Sequence, residues 1–278
     1  MRTLVHLSDL HFGRVDQALL EPLRELVERI AADVVVISGD LTQRAKEEEF
    51  EAARAFLDSL PGPQIIVPGN HDISLYNVFR RFVKPLDRYR RYITDDLDPV
   101  YIDDEIAVVG VNTARSLTIK DGRVSHEQVA AIRERLRGVG PDVTRIVVTH
   151  HPFDLPESFE KRDLVVRAPM AMEVFAETGV DILMAGHMHA SHAGSTAARY
   201  QIDEYAALVV QAGTATSTRG RGEVNSFNVV RVEPLRVEID RYGWDVVHGQ
   251  FSLVSTEKFI RTGSIWSPHD DGMMAAGL

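Results

Sequence analysis

Side chains that bind metal ions recur in five short blocks of this 278-residue chain. The blocks are Asp9-Leu10-His11, Gly39-Asp40, Gly69-Asn70-His71-Asp72, His150-His151-Pro152 and Gly186-His187-Met188-His189. Their donors are oxygen and imidazole nitrogen, and the chain has no cysteine, so thiolate sites and disulfides are excluded. Such donors suit manganese, iron or zinc. Together they supply enough ligands for two ions that share one carboxylate, an arrangement that stabilises both reacting oxygens in phosphoryl transfer.

The spacing inside the blocks supports this chemistry. Asp9 and His11 are two residues apart, so in an extended segment both side chains point the same way. His187 and His189 repeat that spacing. Each block alone also fits a structural role, since Asp40 could cap a helix and the third block could form a tight turn. The combination of all five favours a metal site.

The elements that position these blocks alternate between β-branched runs and amphipathic helical patterns, which is typical of a layered α/β fold. We predict strands at residues 3–8, 34–38, 64–67, 106–111, 145–149 and 181–185, and helices at 17–32, 46–60, 125–137 and 170–178. All of these strands except the fourth end just before one of the blocks. Because ligands bind outside the carboxyl ends of strands in open α/β sheets, the sequence predicts a single site at that edge.

The pattern changes near residue 192 to antiparallel strands, predicted at 207–212, 227–232 and 235–240. We expect these strands to form a second sheet packed on the first, within one domain that spans residues 1–264. Residues 265–278 are rich in Gly, Ser, Pro and Asp and are predicted to form a loosely held tail.

Charge and hydropathy narrow the classes of partner. The chain has 31 Lys and Arg residues against 41 Asp and Glu, a formal net charge of −10 that lacks the footprint of a duplex nucleic-acid binder. The N-terminus is too short and polar for a signal peptide, and no apolar run approaches the ~18 residues of a membrane span. We therefore expect a cytoplasmic protein. Homo-oligomerisation is compatible with the late strands, but nothing specifies it.

In their order and spacing, the five blocks resemble those of the calcineurin-like metallophosphoesterase superfamily. The opening Leu7-Ser8-Asp9-Leu10-His11 is most similar to the bacterial class III cyclic-nucleotide phosphodiesterase group. The resemblance implies a four-layer α/β/β/α sandwich of two mixed sheets with a dinuclear metal site at the strand ends. It also implies a metal-dependent phosphoric diester hydrolase.

The resemblance further assigns roles to individual residues. It implies one ion held by Asp9, His11 and His189, a second held by Asn70, His150 and His187, and Asp40 bridging the two. His71 would contact the phosphate or protonate the leaving oxygen, and a metal-bound hydroxide would attack phosphorus in line. The family's His-any-Pro pattern selects His150 over His151, and neighbouring strand side chains point to opposite faces.

One departure concerns the residue that supports the catalytic histidine. Phosphoprotein phosphatases of the superfamily have an Asp-Arg-Gly after the Gly-Asp block, and that Asp supports the histidine. Here Gln43 replaces the Asp, so no orienting carboxylate is evident for His71. This departure argues against a protein phosphatase, although Arg44 could still contact phosphate.

Basic residues next to the third block bear on the substrate. Residues 76–92 carry six basic residues and one acidic residue, and residues 73–99 are a candidate helical cap over the metals. A plain surface helix is the alternative interpretation. The candidate substrate-binding residues are Arg44, Arg80, Arg81, His192 and Arg219.

These observations favour hydrolysis of a small phosphodiester of the cyclic-nucleotide or glycerophosphodiester type. The main alternative is a UDP-2,3-diacylglucosamine pyrophosphatase of lipid A synthesis, a family that shares the metal blocks and uses a basic helical cap. A nuclease is less favoured because no long DNA-binding region is evident. A non-catalytic scaffold of the same fold is disfavoured because every ligand position carries a competent side chain.

Overall fold

The structure, a computed structural model, describes residues 1–75, 78–116, 121–156, 163–219 and 222–269, with only the backbone of 78–80. The strands in this part of the chain are β1 Arg2–Leu7, β2 Val34–Ser38, β3 Gln64–Val67, β4 Val100–Ile102, β5 Ile106–Gly110, β6 Thr144–Val148, β7 Ile182–Ala185, β8 His192–Ser195, β9 Tyr205–Ala206, β10 Leu208–Gln211, β11 Ser226–Glu233, β12 Arg236–Asp245, β13 Gln250–Thr262 and β14 Ser264–Pro268. The helices there are α1 Gln17–Ile30, α2 Glu47–Asp58, α3 Val78–Val83, α4 Asp87–Tyr92, α5 His126–Leu136 and α6 Ala168–Thr178.

The described strands form two mixed sheets. The first has the order β3-β2-β1-β11-β12-β13-β14-β9, and the second has the order β4-β5-β6-β7-β10-β8. The strands that precede the blocks are parallel within each sheet: β1, β2 and β3 in the first, and β6 and β7 in the second. Their carboxyl ends lie at one edge of the sandwich, where His150 after β6 contacts the carbonyl of Ser38 at the end of β2.

Apolar side chains fill three layers among the described residues. Leu19, Leu23 and Val27 of α1 pack with Val5 and other residues on the outer face of the first sheet. A second cluster lies between the sheets, and a third lies between the second sheet and the helices α5 and α6. This layering confirms the predicted α/β/β/α sandwich.

The first helix shows how the sequence produces these layers. Asp16 caps α1, because its Oδ1 accepts a hydrogen bond from the Ala18 N–H at 3.0 Å. The buried residues Leu19, Leu23 and Val27 recur every four positions and so lie on one face of the helix. That face packs on the sheet whose strands bear the first three blocks.

Two predictions about the C-terminal part are wrong. The late strands do not form a separate sheet: β11 pairs antiparallel with β1 and extends the first sheet, whereas β10 joins the second sheet beside β7. Residues 265–268 are not part of a loosely held tail, because Ser264–Pro268 is a strand paired with β13 and its Trp266 is buried. Residues 270–278 lie outside the described residues. Within the described ranges, no helix combines the length and apolarity that crossing a bilayer requires.

Candidate metal centre

The first group of ligand atoms comes from the loops after β1 and β7. The Nε2 atoms of His11 and His189 lie 3.5 and 3.2 Å from Asp9 Oδ1, and 3.3 Å from each other. All three residues are buried. Asp9 Oδ1 accepts no hydrogen bond from the described residues. Burying an unpaired carboxylate oxygen is unfavourable in free energy unless the oxygen binds a cation.

The second group comes from the ends of β3, β6 and β7. His150 Nε2 lies 3.1 Å from Asn70 Oδ1 and 3.3 Å from His187 Nδ1. The opposite ring atom, His150 Nδ1, donates to the main-chain oxygen of Ser38 at 2.8 Å. That bond places the proton on Nδ1 and leaves Nε2 free to bind a cation.

Asp40 lies between the two groups. Its Oδ2 is 3.7 Å from His11 Nε2, and its Oδ1 is 3.4 Å from His150 Nε2. Burial alone would raise the pKa of Asp40, but His150, His71 and His11 hold that pKa well below its usual range. An ionised carboxylate is therefore presented to both groups.

The carboxylate next to the second group also favours a positive charge there. Burial opposes protonation of His150, yet the Asp40 carboxylate outweighs burial and raises the pKa of His150 to about 9. The ring thus attracts a proton in the position where a metal ion would supply the charge. Carboxylate and imidazole donors within 4.8 Å of one another, with the Asn70 amide oxygen 3.1 Å from His150 Nε2, fit borderline or hard transition-metal ions.

The backbone is strained at the ligand positions. Asp9, His11, Asp40, His187 and His189 all adopt positive φ angles, between 51 and 74°. Non-glycine residues rarely occupy this region, and such strain persists only where the surrounding structure enforces it. Here the loops are tied together: the Asp9 and His11 N–H groups donate to the Gly39 and Asp40 carbonyls at 3.1 and 2.9 Å. These backbone conformations direct the five side chains towards one volume.

His151 does not point away from the site as the strand alternation predicts. Strand β6 ends at Val148, so the alternation no longer applies at residues 150 and 151. The His151 ring centroid lies 4.8 Å from that of His150 and 4.6 Å from that of His187. Thr113 Oγ1 contacts its Nδ1 at 2.8 Å. His150 nevertheless is the ring whose Nε2 faces Asn70 and Asp40.

His71 has an orienting group that residue types could not reveal. Its Nδ1 donates to the main-chain oxygen of Gln43 at 2.8 Å, so a peptide carbonyl takes the place of the carboxylate. Its Nε2 accepts a hydrogen bond from Arg219 Nη1 at 3.1 Å. The Gln43 side-chain oxygen lies 3.5 Å from the same guanidinium nitrogen. The His71 ring packs edge-on against His11, with centroids 5.0 Å apart.

The structure separates the remaining candidates. Arg219 reaches the site through His71. Arg44 is exposed, Arg81 is buried, and the side chain of Arg80 lies outside the described residues. His192 lies half-buried on β8, where burial lowers its pKa against the opposing charge of Asp154, and it belongs to none of the ligand groups found in the described part of the chain.

Much of the basic segment is anchored to the body. The Tyr89 hydroxyl on α4 is buried and donates to the Ile66 carbonyl at 3.1 Å. Arg88 donates to the Ala45 carbonyl at 2.7 Å and lies 3.2 Å from Glu47. Helix α4 is therefore a packed surface helix.

A cavity of about 460 Å³ lies between the α3–α4 segment and the loop after β5. Ile73 lines it, and the Ile73 N–H lies 3.4 Å from the Asn70 carbonyl oxygen. Asn112 and Ala114 line the opposite side and flank Thr113, the residue that contacts His151. The cavity thus adjoins the side of the site that carries the second group. Lys84, Arg90 and Arg115 supply positive charge against Asp87.

Sequence comparison relates this chain to known proteins. A family model described as calcineurin-like phosphoesterase matches residues 2–191. The glycerophosphodiester phosphodiesterase GpdQ of Enterobacter lignolyticus is 26% identical over 231 residues, which cover 72% of this chain and 78% of that protein. A probable glycerophosphodiester phosphodiesterase GpdQ of Arcobacter nitrofigilis is 28% identical over 121 residues, 43% of this chain and 42% of that one.

Solved structures share the fold. The purple acid phosphatase PPD1 from yellow lupin seeds superposes with a TM-score of 0.68 at 13% identity, covering 92% of this chain and 53% of the lupin chain. This chain therefore spans about half the length of the lupin protein. A dimetal phosphatase from Danio rerio superposes with a TM-score of 0.65 at 13% identity, covering 91% of this chain and 98% of that one.

Proposed function

Because the chain belongs to the calcineurin-like phosphoesterase family and is a metal-dependent phosphoesterase, we propose that it hydrolyses small phosphodiesters with two bound transition-metal ions. The observation that carries this proposal is the pair of ligand groups on either side of Asp40. The GpdQ proteins support the diester class through their names, which specify glycerophosphodiesters.

In this proposal each ion has its own ligand group. Asp9, His11 and His189 would hold the first ion, Asn70, His150 and His187 would hold the second, and Asp40 lies between the two groups. Manganese, iron and zinc all fit these oxygen and imidazole donors. When bound, two such ions would neutralise the phosphate charge and lower the pKa of water towards neutrality.

The surrounding side chains would handle the substrate. Arg219 is the cation beside His71, and its guanidinium is a suitable partner for a non-bridging phosphate oxygen. With Nδ1 fixed as a donor by the Gln43 carbonyl, His71 presents Nε2 to the substrate side, where it can transfer a proton to the departing alkoxide once protonated. The cavity lined by Ile73 and Asn112 offers room for the second ester group, which a diester has and a monoester lacks.

A second candidate substrate has its own supporting observation. Phe82 and Val83 on α3 are 53% and 57% exposed, and Val83 lines the cavity together with Lys84. Exposed apolar side chains beside cationic ones suit a lipid-linked nucleotide, as in a UDP-2,3-diacylglucosamine pyrophosphatase. The packing of α4 on the body and the GpdQ relatives favour the small diester.

A substrate panel tests the proposal. Manganese-loaded protein is assayed on bis-p-nitrophenyl phosphate, glycerophosphoethanolamine, 3′,5′-cyclic AMP, p-nitrophenyl phosphate and UDP-2,3-diacylglucosamine. We expect higher kcat/KM on the first three than on the monoester, and loss of turnover in Asp40→Asn with the fold intact by circular dichroism. Turnover of the monoester alone would contradict the proposal, and preference for the lipid nucleotide would select the second candidate.

A further inference from the structure

A fully buried histidine lies beneath the metal centre and takes no part in the chemistry proposed above. His6 occupies β1, and its side chain lies between the two sheets, level with Asn228 on the paired strand β11. Its Nε2 contacts the Ser38 hydroxyl at 2.9 Å. A buried imidazole in a mostly apolar layer calls for an explanation, since an apolar side chain of similar size has no ring nitrogens to desolvate.

The hydrogen bonds determine where the His6 proton resides. His6 Nδ1 has no hydrogen-bond partner among the described residues. A proton on Nδ1 would be a buried donor without an acceptor. Such a donor is rarer, and costs more free energy, than a buried acceptor without a donor. The neutral ring therefore carries its proton on Nε2 and donates it to the Ser38 hydroxyl oxygen.

Ser38 connects His6 to both ligand groups. Its main-chain oxygen accepts the hydrogen bond from His150 Nδ1 at 2.8 Å, the bond that leaves His150 Nε2 free. The Ser8 hydroxyl lies 3.3 Å from the same oxygen and donates to Asp9 Oδ2 at 2.6 Å. Ser38, whose hydroxyl accepts a hydrogen bond from His6, therefore supports His150 directly. It also contacts Ser8, the residue that donates to Asp9.

We propose that His6 is a positioning residue for the second metal ion, acting through Ser38 to hold His150 with Nε2 directed at Asn70 and Asp40. The inference rests on the proposed function, because it takes His150 as a metal ligand. Loss of the Nε2 donor would let the Ser38 peptide and the His150 ring shift. The second ion should then bind more weakly than the first.

Metal titration of two His6 variants tests this. Metal-free wild type, His6→Gln and His6→Phe are titrated with Mn²⁺ against a chromophoric chelator, without substrate. We expect His6→Phe to weaken binding of one ion by about 10- to 100-fold and to leave the other near its wild-type affinity. His6→Gln keeps an amide N–H that can reach Ser38 and should recover most of that loss. Wild-type affinity for both ions in His6→Phe, or equal losses in the two variants, would overturn the proposal.

Two further variants keep the result interpretable. Ser38→Ala removes only the hydroxyl that His6 donates to and should reproduce the selective loss even if His6→Phe folds poorly. Thr144→Val is the matched control, because Thr144 is a buried β6 residue whose hydroxyl has no partner in the described structure. It should bind both ions as wild type does. Uptake of fewer than two ions by wild type would instead refute the proposed dinuclear centre.

Discussion

Acidification should reveal the buried state of His6 in the metal-free protein. Burial lowers the pKa of His6 to about 3 from an ordinary value of 6.5, with the Asp9 charge opposing that shift. Between these two pKa values, His6 therefore binds a proton in the unfolded chain but not in the folded chain. The free energy of unfolding is therefore unaffected by protonation of His6 above about pH 6.5, and it falls progressively as the pH falls towards about 3.

The size of the effect follows from the same linkage. A pH of about 5 lies 1.5 units below the pKa of His6 in the unfolded chain, and each unit corresponds to 1.36 kcal/mol. Protonation of the unfolded chain at His6 therefore lowers the free energy of unfolding by about 2 kcal/mol. His6→Phe abolishes this term and, at neutral pH, loses a buried hydrogen bond worth about 1 kcal/mol. The variant should be about 1 kcal/mol less stable than wild type near pH 7.5 and about 1 kcal/mol more stable near pH 5.

Urea unfolding followed by tryptophan fluorescence, with EDTA present throughout, measures this difference. The other titrating groups, including His150, are shared by both proteins and cancel in the comparison. Equal m-values in the two proteins would confirm that the same surface is exposed. A stability difference that stays constant between the two pH values would refute the reasoning, because it would mean that His6 protonates normally in the folded state.

Three further predictions concern the centre and its surroundings. Chelation should abolish activity reversibly, with recovery on adding Mn²⁺, as measured by bis-p-nitrophenyl phosphate hydrolysis; activity that persists in metal-free protein would contradict a metal-dependent mechanism. Arg219→Gln should reduce kcat/KM for diesters by about 10- to 100-fold, because it removes a charged hydrogen-bond donor, whereas the exposed Arg44→Gln serves as control and should change it less than about threefold. Tyr89→Phe should lower the free energy of unfolding by about 1 kcal/mol, through the unpaired Ile66 carbonyl, and leave KM unchanged; a large rise in KM would show that α4 acts in substrate binding.

The sequence predicts the architecture around the site well because its signals are local. Short β-branched runs locate β1, β2, β3, β6 and β7, and polar side chains such as Asp9 and Asn70 follow within a few residues of their strands. Parallel strands in a layered fold then bring those ends together. The structure confirms the two sheets, and it brings the side chains of the other six predicted ligand residues close to Asp40 or to the histidines beside it.

What the sequence does not predict depends on main-chain contacts and on long-range pairing. Residue type cannot show that the Gln43 carbonyl orients His71, or that the Ser38 carbonyl orients His150, because every residue has a carbonyl. The residue pattern of a strand indicates which of its faces is buried, but not which strand pairs with it. The pairing of β11 with β1 could therefore not be predicted from the sequence.

The most direct test of the central claim is an anomalous difference map from crystals of the manganese-loaded protein, recorded at the manganese absorption edge. We predict two peaks about 3.5–4 Å apart on either side of Asp40. One peak should lie within coordination distance of Asp9, His11 and His189, and the other within coordination distance of Asn70, His150 and His187. A single peak, or a second peak held by His151 away from Asp40, would contradict the account.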